Sequence, residues 1–561
     1  MKVKDMSEST PVYALGSKRE LFVDDFFIST LAGEVYRKLH EPIPDEIVLT
    51  LDEPHELTNN AGGSYNSLIY DGKRYLYYYR AHGAFPTPSR PGNNNFYLCV
   101  AESSDGINFR RCQVNLLESG YNVVLDRTNT DNLGCLTPDD NVCPAVSTAF
   151  YDTNPDCPEN ERYKMIVTNE HKVHGIYLFV SADGFDFRLK TGPFKLDPRS
   201  GFDSANQIFY DHDAKLYRLY SRGFIMAGPT WKRTIMTHTT RDFIHFEQAA
   251  HLKFDEKFDA LFARGQELYT NAIRPYFRAP HIMLGFPMRY VEGCMTPGAH
   301  TSSACERTML RRATGNPEAE IANCEDIWNA RVLSRPDIEA RAYRAKGQLR
   351  YGLASTDTVL IASRDGFNFK GYGESFIKPP PQEDSWSYGS GTLAIGMAVT
   401  PSSMKHGAPD ELSFYCPEAN WSFNTARIRR YHLRMDGFVS LHFGVDGGTL
   451  LTPRFTFEGG RLTLNIATGA FGGFKAEFRD ENGVPIPGYT FEDAYEEIGD
   501  DLAMVARWKT HGPDVRPLEG KTVQLAIKAV NCDIYSVCFV PYEDDPELPD
   551  ISGEKKNWWE Q

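Results

Sequence analysis

The chain repeats one turn. The stretches "SSDGINF" (Ser103 to Phe109), "SADGFDF" (Ser181 to Phe187) and "SRDGFNF" (Ser363 to Phe369) share a Ser-x-Asp-Gly core followed by aromatic residues, and "TTRDFIHF" (Thr239 to Phe246) is a weaker copy. Each follows an apolar run: "FYLCVAE", "IYLFVSA", "TVLIASR" and "RTIMTHT", respectively. Asp-Gly supplies the positive φ of a tight hairpin, and the aromatic opens the next strand. One copy is a surface turn, whereas four at near-regular spacing describe an architecture. From Asp to Asp the intervals are 78, 59 and 123 residues; the last contains a stretch, 293–350, without counterpart elsewhere, and removing it leaves 65. A period of this size made of strands and turns predicts a radial array of small sheets.

Five such units can be aligned, beginning at "SYNSLIYDGKRYLYYYRAHG", "AVSTAFYDTNPDCPENERYKMIVTNE", "ANQIFYDHDAKLYRLYSRG", "LYTNAIRPYFRAPHIMLGFPMRY" and "GTLAIGMAVT". The predicted class is all-β: a five-bladed β-propeller over residues 31–445, then a C-terminal β-sandwich over 446–542 and a polar tail over 543–561. Residues 1–30, through "RELFVDDFFI", are expected to close the ring against the last blade, because an unpaired edge strand invites aggregation. The 293–350 insertion reads as helical, and either it or the sandwich is the expected site of any homo-oligomer contact.

At 561 residues the chain exceeds one ordinary core. Its net charge of -15 argues against nucleic acid or an anionic membrane as partner, since binding phosphate needs a basic face. No apolar run reaches 18 residues, and the first residues, "MKVKDMSESTPVYALG", have no apolar core of the secretory type. Eleven scattered cysteines fit a reducing compartment, so a cytoplasmic location is expected. Cys294, Cys305 and Cys324 cluster in the insertion without histidines at zinc-like spacing, so no metal and no cofactor is expected.

In a propeller the innermost strands start near a common axis, so polar residues just before them converge from distant positions. Hydrolysing an acetal needs one group to protonate the leaving oxygen and another to activate water or attack carbon. The candidate carboxylates are Asp203 in "GFDSANQIFYD", Asp140 beside Asp139 in "TPDDNVCP", Glu56 in "DEPHELTNNAGGSYN", and Glu418 in "FYCPEANW". Asp203 and Glu418 are expected to form the working pair, with Glu56 and Asp140 as alternates or tuners of their pKa values. Asn271, Arg274, Arg278 and His281, in "YTNAIRPYFRAPH", are candidates to orient a substrate. Tyr65, Trp386, Tyr388 and Trp421 are candidate platforms for sugar rings. GxSxG, HExxH, P-loop and dinucleotide fingerprints are absent.

Several segments, "RELFVDDFFI", "NPDCPENERYKMIV", "VSADGFDF", "FDSANQIFYD", "LYTNAIRPYFRAPHIMLGFP", "ELSFYCPEANW" and "RIRRYHLRMDGFVSLH", resemble a group of bacterial proteins similar to the N-terminal domain of invertase-type glycoside hydrolases. The resemblance extends over nearly the whole chain and implies a five-bladed propeller followed by a β-sandwich, with a pocket on the propeller axis. It departs from the invertase pattern in lacking "NDPN", "RDP" and "EC". The expected function is a glycoside hydrolase acting on a small oligosaccharide or glycoside. The alternatives are a non-catalytic sugar-binding propeller, or a transglycosylase or phosphorylase on the same scaffold; a phosphorylase would place basic groups such as Arg274, Arg278 and His281 beside the acid.

Overall fold

The computed structural model describes residues 11–56, 65–83, 95–114, 121–126, 142–169, 175–194, 196–197, 199–227, 230–291, 355–381, 389, 391–419 and 425–542. The insertion, the polar tail, Asp140, Trp386, Tyr388 and Trp421 lie outside the described residues. The fold is all-β, and no described helix is long and apolar enough to cross a membrane. The chain divides into two compact units, residues 39–438 and residues 1–38 with 439–561.

The larger unit contains six hydrogen-bonded sheets among its described residues: five follow one another in chain order, and the sixth is a three-stranded sheet of Glu267–Leu268, Met288–Val291 and Ser355–Thr358. Sheet 1 is built from Ser67–Tyr70, Tyr75–Gly83, Asn95–Ser103 and Arg110–Arg111, with Val123–Asp126 also paired to Asn95–Ser103; sheet 2 is built from Val142–Tyr151, Tyr163–Asn169, Gly175–Ser181 and Arg188–Thr191. Sheet 3 holds Gln207–Asp211, Leu216–Ala227, Thr230–Thr240 and Phe246–His251. Sheet 4 holds Arg274–Tyr276, Ala279–Gly285, Ile361–Ser363 and Asn368–Gly371, with Lys253–Phe254 added in parallel on its edge. Sheet 5 holds Ala398–Thr400, Glu411–Glu418 and Arg427–Leu433, and its fourth strand is Ile43–Thr50, from the start of the chain.

The repeated turn links one sheet to the next. In each copy the hydroxyl of Ser103, Ser181, Thr240 or Ser363 donates to the Asp two residues on, and that carboxylate accepts N–H bonds from the two residues after the Gly position. The Gly carbonyl then accepts a tyrosine hydroxyl from the preceding sheet: Tyr78 donates to Gly184 at 2.7 Å, Tyr220 to Gly366 at 2.8 Å and Tyr415 to Gly106 at 2.5 Å. Gly366 has φ +73°, and a Cβ there would lie 2.9 Å from the Tyr220 hydroxyl, so glycine serves both the turn and the close approach. In the weaker copy Phe243 occupies the left-handed position at φ +61°. Its ring packs in an apolar cluster with Ile166 of sheet 2, replacing the hydrogen bond with burial.

The contacts between sheets close a ring. The Ser67 hydroxyl of sheet 1 accepts the Ala149 N–H of sheet 2, and Tyr217 of sheet 3 donates to Asp152 beside sheet 2. Phe286 beside sheet 4 packs on Phe414 of sheet 5 at 5.5 Å. Tyr75 of sheet 1 donates to the Val399 carbonyl of sheet 5, completing the circuit.

The closing strand differs from the expectation. Residues 19–28 do not complete the ring: Glu20–Leu21 pairs with Gln524–Val540 in the smaller unit, where Phe22 and Phe27 join the buried core. The outer position of sheet 5 lies against buried Arg430, which bonds Asp45, Glu46 and Glu411; Ile43–Thr50 carries the first two of these acids, whereas Phe22 and Phe27 of the 19–28 segment gain burial in the core of the smaller unit.

In the smaller unit one hydrogen-bonded sheet contains Thr30–Leu39, Val439–Leu451, Gln524–Val540, Arg461–Arg479 and Asp500–Val505, with Glu20–Leu21 also on Gln524–Val540; Tyr13–Gly16 pairs separately with Phe455–Phe457. Both neighbours of Gln524–Val540 shift register opposite Val530 and Asn531, and Asn531 has φ +42°. Bulges at one height bend a sheet. Trp508 is fully buried in this core and donates to the Ala476 carbonyl at 2.9 Å.

Candidate functional site

The four nominated carboxylates fare differently. Glu418 ends the second strand of sheet 5 with its side chain 1% exposed. Arg427 donates to one of its oxygens, and Arg429 to both. With both oxygens held by guanidinium groups it acts as a clamp between neighbouring strands, not as the partner acid expected for Asp203. Glu56 is likewise sealed: Arg111 bonds both its oxygens, and Tyr79 donates to it at 2.5 Å. Asp203 is the exception, with its side chain 70% exposed.

The loop carrying Asp203 is rigidly tied. The Gly201 N–H donates to the Arg222 carbonyl at 2.8 Å, and the Ser204 hydroxyl donates to the Tyr269 carbonyl at 2.6 Å. Asn206 Nδ2 donates to the carbonyls of Phe202 and Ser204 and to Thr168 Oγ1. Behind the loop, Ser200 Oγ lies 3.3 Å from His238 Nε2. Burial pulls the His238 pKa down to about 4. A carboxylate on a loop pinned at both ends is pre-positioned rather than merely solvated.

Around Asp203 the fold gathers residues from three sheets. Arg222 Nη1, on the second strand of sheet 3, lies 3.7 Å from the Asp203 carboxylate, and the Arg222 guanidinium sits 4.3 Å above the Tyr269 ring. Tyr65, just before the first strand of sheet 1, is within electrostatic reach of Asp203, Tyr269, Arg222 and Arg80. Its φ of +94° is costly for a bulky side chain, by about 1–3 kcal/mol, and such strain gathers at functional sites. Burial pushes the Tyr65 hydroxyl well above its ordinary pKa, and Tyr269 and Asp203 push it further. For Arg222 burial works against the charge, but Tyr269, Tyr65 and Asp203 outweigh it and the pKa is raised. Arg233 stands beside this group, paired with Glu267 and 5.1 Å from the Tyr269 ring.

Two of the four expected orienting residues fall near the centre. Arg274, on the first strand of sheet 4, donates across to the Ala149 carbonyl on the first strand of sheet 2 at 3.3 Å, a contact between sheets that are not neighbours in the ring. Burial alone lowers its pKa to about 10. Asn271 is buried and donates to the carbonyls of Ala205 and Tyr220, which ties sheet 4 to the Asp203 loop. Arg278 is a correction: its guanidinium lies 3.4 Å from buried Asp436, which also accepts the Tyr276 hydroxyl, so it serves a buried ion pair. His281 lies on the following strand, partly exposed.

Arg222, Arg80 and Tyr269 were absent from the expected site. A signal existed, because "YYR" of sheet 1 and "YSR" of sheet 3 each place an arginine two residues after the tyrosine that latches the next turn, Tyr78 and Tyr220. Two cavities among the described residues, of about 380 and 370 Å³, lie elsewhere, one beside Arg289 and Asp357 and the other beside Cys157 and Lys164.

No family model matches the chain, and no curated protein matches it. The solved structures it resembles include one described as a glycoside hydrolase (10% identity, 70% of this chain and 92% of that chain, TM-score 0.39). A Bombyx mori GH32 beta-fructofuranosidase covers more of the chain (9% identity, 90% and 94%, TM-score 0.35). A mannose phosphorylase from Leishmania mexicana also matches (9% identity, 70% and 89%, TM-score 0.35). Overlap this loose assigns no residue of the chain a role.

Proposed function

We propose that the chain is a glycoside-processing enzyme, a glycosidase on a five-bladed β-propeller, whose site lies where the first strands of the five sheets converge and in which Asp203 exchanges a proton with the glycosidic oxygen. The observation that carries this reading is the meeting of one exposed, pre-positioned carboxylate with Tyr65, just before sheet 1, Arg222, on sheet 3, and Tyr269, just after the strand Glu267–Leu268. The ring of contacts between successive sheets and the Arg274–Ala149 bond across it support the propeller. The shared bend at Asn531 supports a β-sandwich for the smaller unit. Aromatic faces beside a charged pair suit a sugar, which offers an apolar face and a rim of hydroxyls.

Phosphorolysis is a second reading, favoured by one observation: of the described candidates, Asp203 alone has an unsaturated carboxylate. Hydrolysis by the usual route takes two carboxylates, whereas inorganic phosphate brings its own nucleophilic oxygen and leaves the protein to supply one acid. The test is turnover of a panel of aryl glycosides and short oligosaccharides with and without phosphate, by the native chain and by Asp203→Asn. Free sugar released irrespective of phosphate supports hydrolysis, and sugar phosphate supports the second reading. Equal turnover by native chain and Asp203→Asn would remove Asp203 from the chemistry.

A further inference from the structure

The guanidinium of Arg222 has an unused edge. Its side chain is 6% exposed, and neither Nε nor Nη2 has a hydrogen-bond partner among the described residues. Only Nη1 leans toward an acid, Asp203, at 3.7 Å, beyond hydrogen-bond length. Burying donors of a charged group unpaired is costly, so native folds rarely leave them so.

The same chain shows what this edge is for. Arg111, Arg199, Arg289, Arg429, Arg507 and Arg516 each use Nε and Nη2 together to grip the two oxygens of one carboxylate. In Arg507 the two bonds to Glu497 are 2.9 and 2.7 Å. Parallel N–H donors matched to two oxygens in one plane give a charge-assisted pair with strict geometry. At Arg222 that fork is intact, held over Tyr269 and beside Asp203, with no carboxylate of a described residue in it.

From this we infer that the Nε/Nη2 edge of Arg222 receives an oxyanion carried by the substrate, namely the carboxylate of an acidic sugar such as a uronide. The inference rests on the glycoside reading above and narrows it to a substrate class. Charge selects a carboxylate over a phosphate. Asp203 lies against the other side of the same guanidinium, so a dianion would meet more repulsion there than a monoanion does. Arg80, 5.9 Å from the Tyr65 ring, adds a second cation to the group and offsets the charge of Asp203.

The experiment measures binding to the full chain by titration calorimetry. The probes are α- and β-4-nitrophenyl glucuronides and galacturonides, their uncharged glucoside and galactoside parents, and inorganic phosphate alone. The expected result is at least one uronide bound about 10–100-fold tighter than its parent, a preference that falls as salt rises. Arg222→Gln abolishes that preference, so that the uronide binds no tighter than its parent to the same variant, while Arg222→Lys, which keeps the charge but not the fork, retains only a fraction of it. The lysine variant keeps the test open if the glutamine variant does not fold, as judged by its melting curve. Equal affinity for uronides and parents, or a preference that survives in both variants, overturns the inference while leaving the glycoside reading standing. Phosphate bound through Arg222 more tightly than any uronide also overturns it and assigns the edge to a co-substrate. Binding of no sugar at all, charged or neutral, removes the glycoside reading with it.

Discussion

The loop 201–206 and the strand Glu411–Glu418 each present one acidic side chain at the end of a sheet, and they hold it in opposite ways. Glu418 is buried with two arginines on its two oxygens, while Asp203 stands open on a pinned loop with one arginine 3.7 Å away. The difference teaches that position in the repeat is not enough to make a carboxylate chemical. A buried carboxylate with both oxygens held by guanidinium groups has little acceptor capacity left for a substrate. An acid that is positioned by its backbone, and whose oxygens remain free, can act.

The sharpest way to break this comparison is to neutralise each acid in turn. Asp203→Asn should lower turnover at least about 100-fold, the usual scale for losing an acid/base group, with unfolding free energy within about 0.5 kcal/mol of native. Glu418→Gln should do the reverse, losing roughly 3 kcal/mol in a denaturant titration because Arg427 and Arg429 are left without their counter-charge. An Asp203→Asn variant that unfolds easily, or a Glu418→Gln variant that is stable and inactive, would invert the two roles.

Next in size is the pH dependence of the Asp203 loop. His238, behind Ser200, has a folded pKa of about 4 against an ordinary 6.5, so as pH falls the unfolded chain takes up the proton first. Its contribution is therefore complete above pH 6.5, is lost progressively between about 6.5 and 4, and is absent below. The loss from this group is roughly 3 kcal/mol. His251, also depressed by burial, acts in the same direction, and Asp197, held near 2 by Arg199, adds its own loss at lower pH. Unfolding free energies from pH 7.5 to 4 for native chain and His238→Gln should converge in slope above 6.5 and diverge below it; parallel curves would mean His238 titrates normally.

Smaller effects sharpen the view of the turn as a latch. Gly366→Ala places a methyl group 2.9 Å from the Tyr220 hydroxyl at φ +73° and should cost about 1–3 kcal/mol. Tyr220→Phe keeps the ring and loses one hydrogen bond, for about 1 kcal/mol by thermal melt. The third turn has no such tyrosine, and Phe243 packs against its neighbours instead, so it should tolerate changes in hydrogen bonding that the other three do not.

The turns and sheets were readable in the sequence because their signals are local: Ser-x-Asp-Gly fixes a hairpin wherever it falls, and the apolar runs before it fix strands. The ring-closing strand was misplaced because closure depends on a partner nearly 400 residues away. Ile43–Thr50 looks like a weak strand until Arg430 supplies the charge that its Asp45 and Glu46 answer. The pairing of Glu418 was hidden for the same reason, since Arg427 and Arg429 follow it as strand residues with nothing in their spacing to show that they turn back upon it. Asp203 was nominated because the loop before a first strand is an informative address, and its exposure there is what the proposed chemistry rests on. Arg222 was passed over although "YSR" repeats the "YYR" of sheet 1, because nothing in that local pattern shows which donors of its guanidinium the fold leaves without a partner among the described residues.

The most direct test of the central claim is a crystal structure of the full chain with a bound uronide or its uncharged parent. The account predicts a sugar ring among Asp203, Arg222, Tyr65 and Tyr269, with a ligand oxygen within hydrogen-bond distance of the Asp203 carboxylate. A sugar seated instead in the cavity beside Arg289 and Asp357, with the Asp203 group untouched, would contradict it.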